Sequence, residues 1–565
     1  MSKNTSNRMD CSTGSLQGDK NTMYGLMMDY QLTLRPMMER AYRLFGSKEV
    51  VTRVEDGLHR YTYSDFYERC GRLANGLARL GIKPGDRVGT FAWNSYRHLE
   101  LYFAVPCFGA ITHTLNVRLP EDQLAYIITH ADDRVIFVEP DLLPLLESIA
   151  DSLPAVRNFV VLHQADDGDP VSSLPNVVSY EELLSGEPPD FSWPDLDERQ
   201  AAAMCYTSGT TGKPKGVLYS HRAIYMHTLT SVSTAGFGIE ETDTVMPLVP
   251  MFHVLSWGIP YAATWLGCKQ VYTGPFMQSR DIAELIQGEK VTYTAGVPTI
   301  WIGLLNFLQT AEYNVSSLRR IPVGGAAAPP SLIQNYAKQL GVELVHAWGM
   351  TEMSPIGTLS YLKSYMREWP EDVQSIVRGK QGLSSLNVEL RAVSENGGEV
   401  PWDGSSPGEL QVRGTSIISE YYRDESSDES FMEGWFRTGD VVTIDPEGYI
   451  QIVDRTKDLV KSGGEWISTV ALENALMAHD DVLEAGVVAV PHPTWQERPL
   501  ALVVPNPNSE SHPDKQTLYS MLGGSFQKWQ LPEDILFVEE IPKTSVGKFD
   551  KKVIREQYRD FRFTG

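Results

Sequence analysis

The sequence is poor in the features that classify a protein fastest. Its 565 residues include five cysteines, Cys11, Cys70, Cys107, Cys205 and Cys268, with no C-x-x-C and no paired spacing. That excludes a disulfide framework and a zinc finger, and it is the pattern of buried, reduced thiols. Basic charge is not in excess: 72 acidic residues stand against 49 basic ones, a formal net charge of −23. A broad basic footprint for nucleic acid is thereby excluded. No G-x-G-x-x-G, no G-x-S-x-G elbow and no repeat of fixed period occurs. The polar opening, MSKNTSNRMDCSTGSLQGDKNT, lacks the apolar core of a secretory signal. Residues 1–23 are expected to be a flexible tail. The final FRFTG matches no anchor or peroxisomal address, and the expected location is cytoplasmic.

Long apolar runs are also scarce. Residues 251–268, MFHVLSWGIPYAATWLGC, carry no Asp, Glu, Lys or Arg. A transmembrane helix needs about 20 mostly apolar residues. This run holds His253, Ser256 and Pro260 and stops at Lys269, so it predicts a buried helix lining a cavity and no transmembrane segment.

What the chain does have is ordinary globular material, 42% hydrophobic and 21% charged, with 46 Gly and 34 Pro. Helical spacing of Phe66, Cys70, Leu73, Leu77 and Leu80 predicts a helix capped by Ser64 and stopped by Gly81. Strand-like runs recur at 88–93, 135–138, 159–162, 291–295 and 344–347, each near a helical pattern, which argues for α/β layers. After about residue 400 the texture turns to antiparallel strands, GSSPGELQVRG and DPEGYIQIVDR. The last stretch, from Val470, alternates again as a small α+β unit.

The strongest chemical signal is YTSGTTGKPKGVLYSH, residues 206–221. Hydroxyls, glycines that let the backbone approach, and two lysines are what a polyphosphate requires. It is not a Walker loop, because Pro214 follows Lys213 and the glycines stand three apart. VGGAAAPP (323–330), HAWGMTE (346–352), PGELQVRG (407–414), GWFRTGD (434–440), DRTKDLVKSGGEWIS (454–468) and PKTSVGK (542–548) follow in order. Together these motifs resemble those of the adenylate-forming superfamily of acyl-CoA synthetases, luciferases and peptide-synthetase adenylation domains, over residues 30 to 555.

The resemblance implies an α/β fold: a large N-terminal region (24–453) of layered sheets with a small β-barrel-like part, a hinge at 454–458, and a small mobile α+β C-terminal domain (459–565). It also implies a reaction that consumes ATP, Mg²⁺ and CoA. Thr207, Ser208, Gly209, Thr210, Thr211, Gly212 and Lys213 would surround the phosphates. Gly325, Ala326, Ala327, Trp348, Gly349 and Thr351 would flank the adenylate. Trp348 stands where many relatives have Tyr, so a stacking surface is kept and a phenolic hydrogen bond is lost. Asp440 would accept the ribose hydroxyls and Arg455 would contact ribose or phosphate. Thr207 and Glu352 would hold Mg²⁺ through hard oxygen donors. Lys548 would neutralise the charge that develops as a carboxylate attacks the α-phosphorus. Lys457 would be the pivot, and Lys461, Gly463, Gly464 and Trp466 would serve the CoA step.

VPMFHVLSWGIPYAA (249–263) resembles the gate segment of medium- and long-chain fatty acyl-CoA synthetases, with Trp257 as the gate and His253 beside the carboxylate. A fatty acid is therefore the expected substrate. A short or sulfur-containing acid such as methylmercaptopropionate, and an acyl-AMP ligase without CoA transfer, remain alternatives. A homodimer would be ordinary for the family.

Overall fold

The computed structural model describes residues 23, 25–163, 171–207, 213–394, 396–463, 465–507, 509, 513–544 and 549–563. The chain divides into two units, Met1–Gln31 and Leu32–Gly565. In the first, residues 25–31 form neither helix nor strand, and Leu26, Met27 and Met28 are exposed.

Two mixed sheets organise the second unit. One has seven strands in the order Val177–Ser179, Asn158–Val161, Asp133–Val138, Arg87–Phe91, Ile111–Thr114, Ala201–Tyr206 and Gly216–Ser220. All neighbours are parallel except the last pair. The other has nine strands, with a parallel centre running through Glu343–Gly349, Arg320–Val323, Tyr293–Ala295, Thr244–Pro247, Lys269–Tyr272 and Glu49–Val54. Val135, Ile136, Phe137 and Val138 are all fully buried, the continuous apolar run that a strand covered on both faces requires. All five expected strands thus lie in these two sheets, each with at least one parallel neighbour.

Helix Tyr63–Arg79 buries Phe66, Cys70, Leu73 and Leu77 as their spacing predicts. Its cap is Thr62 rather than Ser64. Thr62 is extended, and its side chain and that of Asp65 satisfy each other's backbone N–H groups in a reciprocal box.

Residues 251–268 differ from the single helix expected. Val254, Leu255, Ser256, Trp257 and Gly258 all have φ between 46° and 71°, forming a left-handed turn before the short helix Ile259–Leu266. Each non-glycine residue held this way costs about 1–2 kcal/mol. Tertiary contacts impose it, including the Ser256 hydroxyl donating to Val249 O at 2.7 Å. No helix among the described residues is long and apolar enough to cross a membrane.

The barrel-like part is an antiparallel sheet of five strands, among them Val388–Val393, Gly408–Gly414, Trp435–Ile444 and Ile450–Arg455. Beyond it, Val460–Ser462, Glu465–Ile467, Val482–His492, Gln496–Pro505 and Asp534–Phe537 form another sheet. Helices Thr469–Leu476, Lys515–Gly523 and Lys551–Gln557 accompany it in sequence.

Loops leaving the carboxyl ends of parallel strands bring the motifs together. Thr207 follows Ala201–Tyr206, His253 lies beyond Thr244–Pro247, Gly325 lies two residues past Arg320–Val323, and Trp348 is the last residue but one of Glu343–Gly349. Open α/β sheets bind ligands at that edge.

Candidate active site

The loop expected to receive phosphates is closed at its neck. Thr207 N donates to Lys215 O at 2.9 Å, and Lys215 N donates to Thr207 Oγ1 at 3.1 Å. Ser208, Gly209, Thr210, Thr211 and Gly212 lie outside the described residues. Lys215 Nζ pairs with Asp424 at 2.9 Å and sits 4.5 Å from the centre of the Tyr421 ring. The Tyr421 hydroxyl donates to Glu352 Oε1 at 2.7 Å. Burial and the neighbouring carboxylate push that phenol's pKa up, so it stays a donor. Glu352 is buried, and its carbonyl accepts from Ile418 N at 3.0 Å. Thr207 and Glu352 line one cavity and offer a hydroxyl and a carboxylate, hard oxygens that suit Mg²⁺ alongside phosphate and water.

Around the expected ribose position the geometry is set by register. Asp440 stands directly opposite Arg455 on paired strands, beside a register shift at Val441/Val442. Such bulges re-aim side chains. Arg455 Nε donates to Asp440 Oδ1 at 3.1 Å, and the Trp348 indole N–H donates to Oδ2 at 2.9 Å. The Asp440 carboxylate raises the pKa of Arg455. Trp348 therefore does more than offer a ring: it fixes the carboxylate expected to receive the ribose. Each carboxylate oxygen keeps a second lone pair for a ligand. Gly325, Ala326, Ala327, Trp348, Gly349, Asp440 and Arg455 border a cavity of about 260 Å³.

A larger cavity, about 660 Å³, is bordered by Thr207, Lys213, Gly325, Trp348, Gly349, Thr351, Glu352, Arg455 and Lys457. It also reaches His253 and an apolar set of Phe237, Val254, Trp257 and Ile356. Trp257 and Phe237 stack at 6.4 Å and 24°. A Cβ on Gly324 would lie 2.6 Å from Ala347 O and 3.4 Å from the Trp257 ring, so only glycine lets the wall close on that indole.

His227 supports the left-handed turn from behind. A Cβ on Gly258 would come within 2.7 Å of His227 Nδ1, and Nε2 accepts from Ile356 N at 3.3 Å. Burial pushes His227 down to about 3 and His98 to about 4. Between those values and the ordinary histidine value of 6.5 the unfolded chain holds more protons, so stability falls as pH falls through that window. Each such histidine adds up to about 1.4 kcal/mol per pH unit. Thermal unfolding of His227→Asn beside the wild type is expected to show a shallower loss of Tm on acidification; parallel curves would contradict this.

Lys457 borders both cavities. Thr544, within the C-terminal lysine motif, and Phe549, just after it, border the smaller one with Trp348 and Asp440. Lys548 and Gly464 lie outside the described residues. Lys461, Gly463 and Trp466 border neither cavity. Lys461 Nζ instead lies 4.5 Å from the Trp466 ring centre, and Gly463 N donates to Trp495 O at 3.0 Å.

Some residues carry the site in ways no motif announces. His346 donates from Nδ1 to Gly379 O at 3.0 Å and accepts from Ala328 N at 3.3 Å, bracing the segment with Ala326 and Ala327. Tyr421, Tyr126, His130 and Phe237 also line the larger cavity. A tyrosine or histidine in an otherwise ordinary element gives no signal in a single sequence.

The AMP-binding enzyme family matches residues 38–422, and the AMP-binding enzyme C-terminal domain matches 471–548. A long-chain-fatty-acid–CoA ligase of Thermus thermophilus is 47% identical over 550 residues, covering 97% of this chain and 99% of that one. A 3-methylmercaptopropionyl-CoA ligase of Ruegeria lacuscaerulensis is 42% identical over 539 residues, covering 95% and 99%. The solved structure of ATP-bound MatB from Rhodopseudomonas palustris superposes with a TM-score of 0.80 at 26% identity, covering 94% of this chain and 99% of that one.

Proposed function

The chain belongs to the AMP-binding enzyme family, and on that premise we propose that it activates a medium- or long-chain fatty acid for transfer to CoA. Its class is that of the AMP-forming acid–CoA ligases. One observation carries the reading of substrate. The cavity that holds Thr207, Glu352 and Arg455 continues to an apolar set closed by Trp257 on Phe237, so a carboxylate at His253 would point its tail at that ring.

In the first step a carboxylate oxygen bonds to the α-phosphorus of ATP and pyrophosphate leaves. In the second, the CoA sulfur bonds to the acyl carbon and AMP leaves. Asp440, held by Trp348 and Arg455, would orient the ribose. Lys213, Lys215 and Lys548 would face the negative charge that two approaching anions bring together. Thr207 and Glu352 would hold Mg²⁺, which supplies charge neutralisation on phosphate oxygens. Lys457 would be the pivot, and the hairpin of Lys461, Gly463 and Trp466 would serve the thiol step.

The test is pyrophosphate release over an acid panel from acetate to stearate, with methylmercaptopropionate and aromatic acids, with and without CoA. A CoA-dependent maximum between octanoate and palmitate is expected. Neighbouring lengths should differ modestly, since a methylene contributes about 0.8 kcal/mol. The Ruegeria relative makes the sulfur-containing acid the second reading. A maximum there would keep the mechanism and discard the fatty acid. Release that ignores CoA would make the protein an acyl-AMP ligase.

A further inference from the structure

The stripe of helix Glu121–Ala131 that carries Tyr126 and His130 has no part in the reading above. Leu124, Ile127, Ile128 and Ala131 bury a different stripe, which accounts for the folding of the helix without them. Tyr126 and His130, one turn apart, stack at 5.3 Å and 25° and line the larger cavity. From there they reach both ends of the phosphate loop. On the incoming side His130 Nδ1 and the Tyr206 hydroxyl share a hydrogen bond of 2.7 Å. Tyr206 precedes Thr207, and its ring lies so close to Gly216 that a Cβ there would be 3.3 Å from its Cζ. On the outgoing side Lys213 Nζ sits 4.9 Å from the centre of the Tyr126 ring. His130 also meets Tyr422 edge-on at 5.7 Å.

We propose that Tyr126 and His130 are positioning residues for the triphosphate of ATP, holding Lys213 and the Thr207 end of the loop in place before the nucleotide arrives. A free lysine samples many rotamers, and confining its ammonium beforehand removes part of that loss on binding. A cation–π contact beside solvent is weak compared with a charge-assisted hydrogen bond to phosphate. The Tyr126 ring therefore keeps Lys213 near the loop and yields it when phosphate oxygens appear. His130 does the complementary work at the other end by fixing the hydroxyl of the residue next to Thr207. The inference rests on the adenylation reading only for the identity of the ligand.

Tyr126→Leu and His130→Leu are expected to raise KM for ATP about three- to tenfold, leaving KM for the acid and thioester formation from supplied acyl-adenylate unchanged. Tyr126→Phe keeps the ring and His130→Asn keeps a polar atom at the Nδ1 position, and both should restore most of the loss. In a Lys213→Met background, Tyr126→Leu should add nothing further. An unchanged KM for ATP, an equal fall in both half-reactions, or an undiminished Tyr126→Leu effect without Lys213 overturns the proposal. Calorimetric titration of the same variants with ATP reads the effect without turnover. A protein that binds ATP with these differences yet activates no acid would overturn the functional reading and leave this inference standing.

Discussion

Replacing Lys548 with alanine is expected to slow acyl-adenylate formation by about 10²- to 10³-fold while thioester formation from supplied acyl-adenylate proceeds at the wild-type rate. The argument is electrostatic. A carboxylate and a triphosphate repel, and the charge concentrates as the new P–O bond forms. A fixed ammonium lowers that transition state more than it lowers the ground state. On either side of the motif's end, Lys543 and Phe549 form a backbone bridge, and Thr544 and Phe549 border the cavity that Trp348 and Asp440 share. Pyrophosphate exchange measures the first half-reaction, and CoA consumption with supplied adenylate measures the second. Equal loss in both would remove Lys548 from the role proposed for it.

Asp440→Ala is expected to raise KM for ATP about a hundredfold and to lower Tm. The carboxylate is 2% exposed and is bonded to Arg455 and to the Trp348 N–H. Its removal leaves a guanidinium without its partner, a loss of about 3–5 kcal/mol for a fully buried pair. Arg455 is partly open to solvent, so the stability cost should fall below that range. The affinity loss adds the missing acceptor for ribose, where hydrogen bonds to a charged group contribute about 1.5–3 kcal/mol. Asp440→Asn separates the two effects, since an amide of the same shape keeps one acceptor and relieves less stability. If Tm falls and KM for ATP does not move in either variant, Asp440 is a brace for Trp348 and Arg455 and nothing more.

The site was legible in the sequence where its chemistry depends on residues that are contiguous in the chain. Thr207, Glu352, Trp348, Arg455 and Lys457 were expected together and border one cavity. Legibility failed where a side chain acts through space on a motif. His346 stands in the HAWGMTE motif, yet its work in holding Ala328 depends on a strand pairing that only the fold supplies. Trp348 was expected as a stacking surface, and its bond to Asp440 arises because strands distant in sequence meet. The parallel strands were readable from their β-branched runs. The order in which they assemble into sheets of seven and nine was not, because order is set by crossover geometry rather than by local composition.

The turn at residues 254–258 has a consequence for how the chain reaches this structure. Nothing local favours it: Val254, Leu255, Ser256 and Trp257 each prefer right-handed or extended backbone, and together they resist the turn by several kcal/mol. It cannot nucleate on its own. It forms only once the surrounding framework exists, with Phe237 in place under Trp257 and Val249 O presented to Ser256. The residues that close the apolar end of the cavity therefore belong to the late side of the folding barrier. Substitutions there should act chiefly on the unfolding rate and hardly on the folding rate.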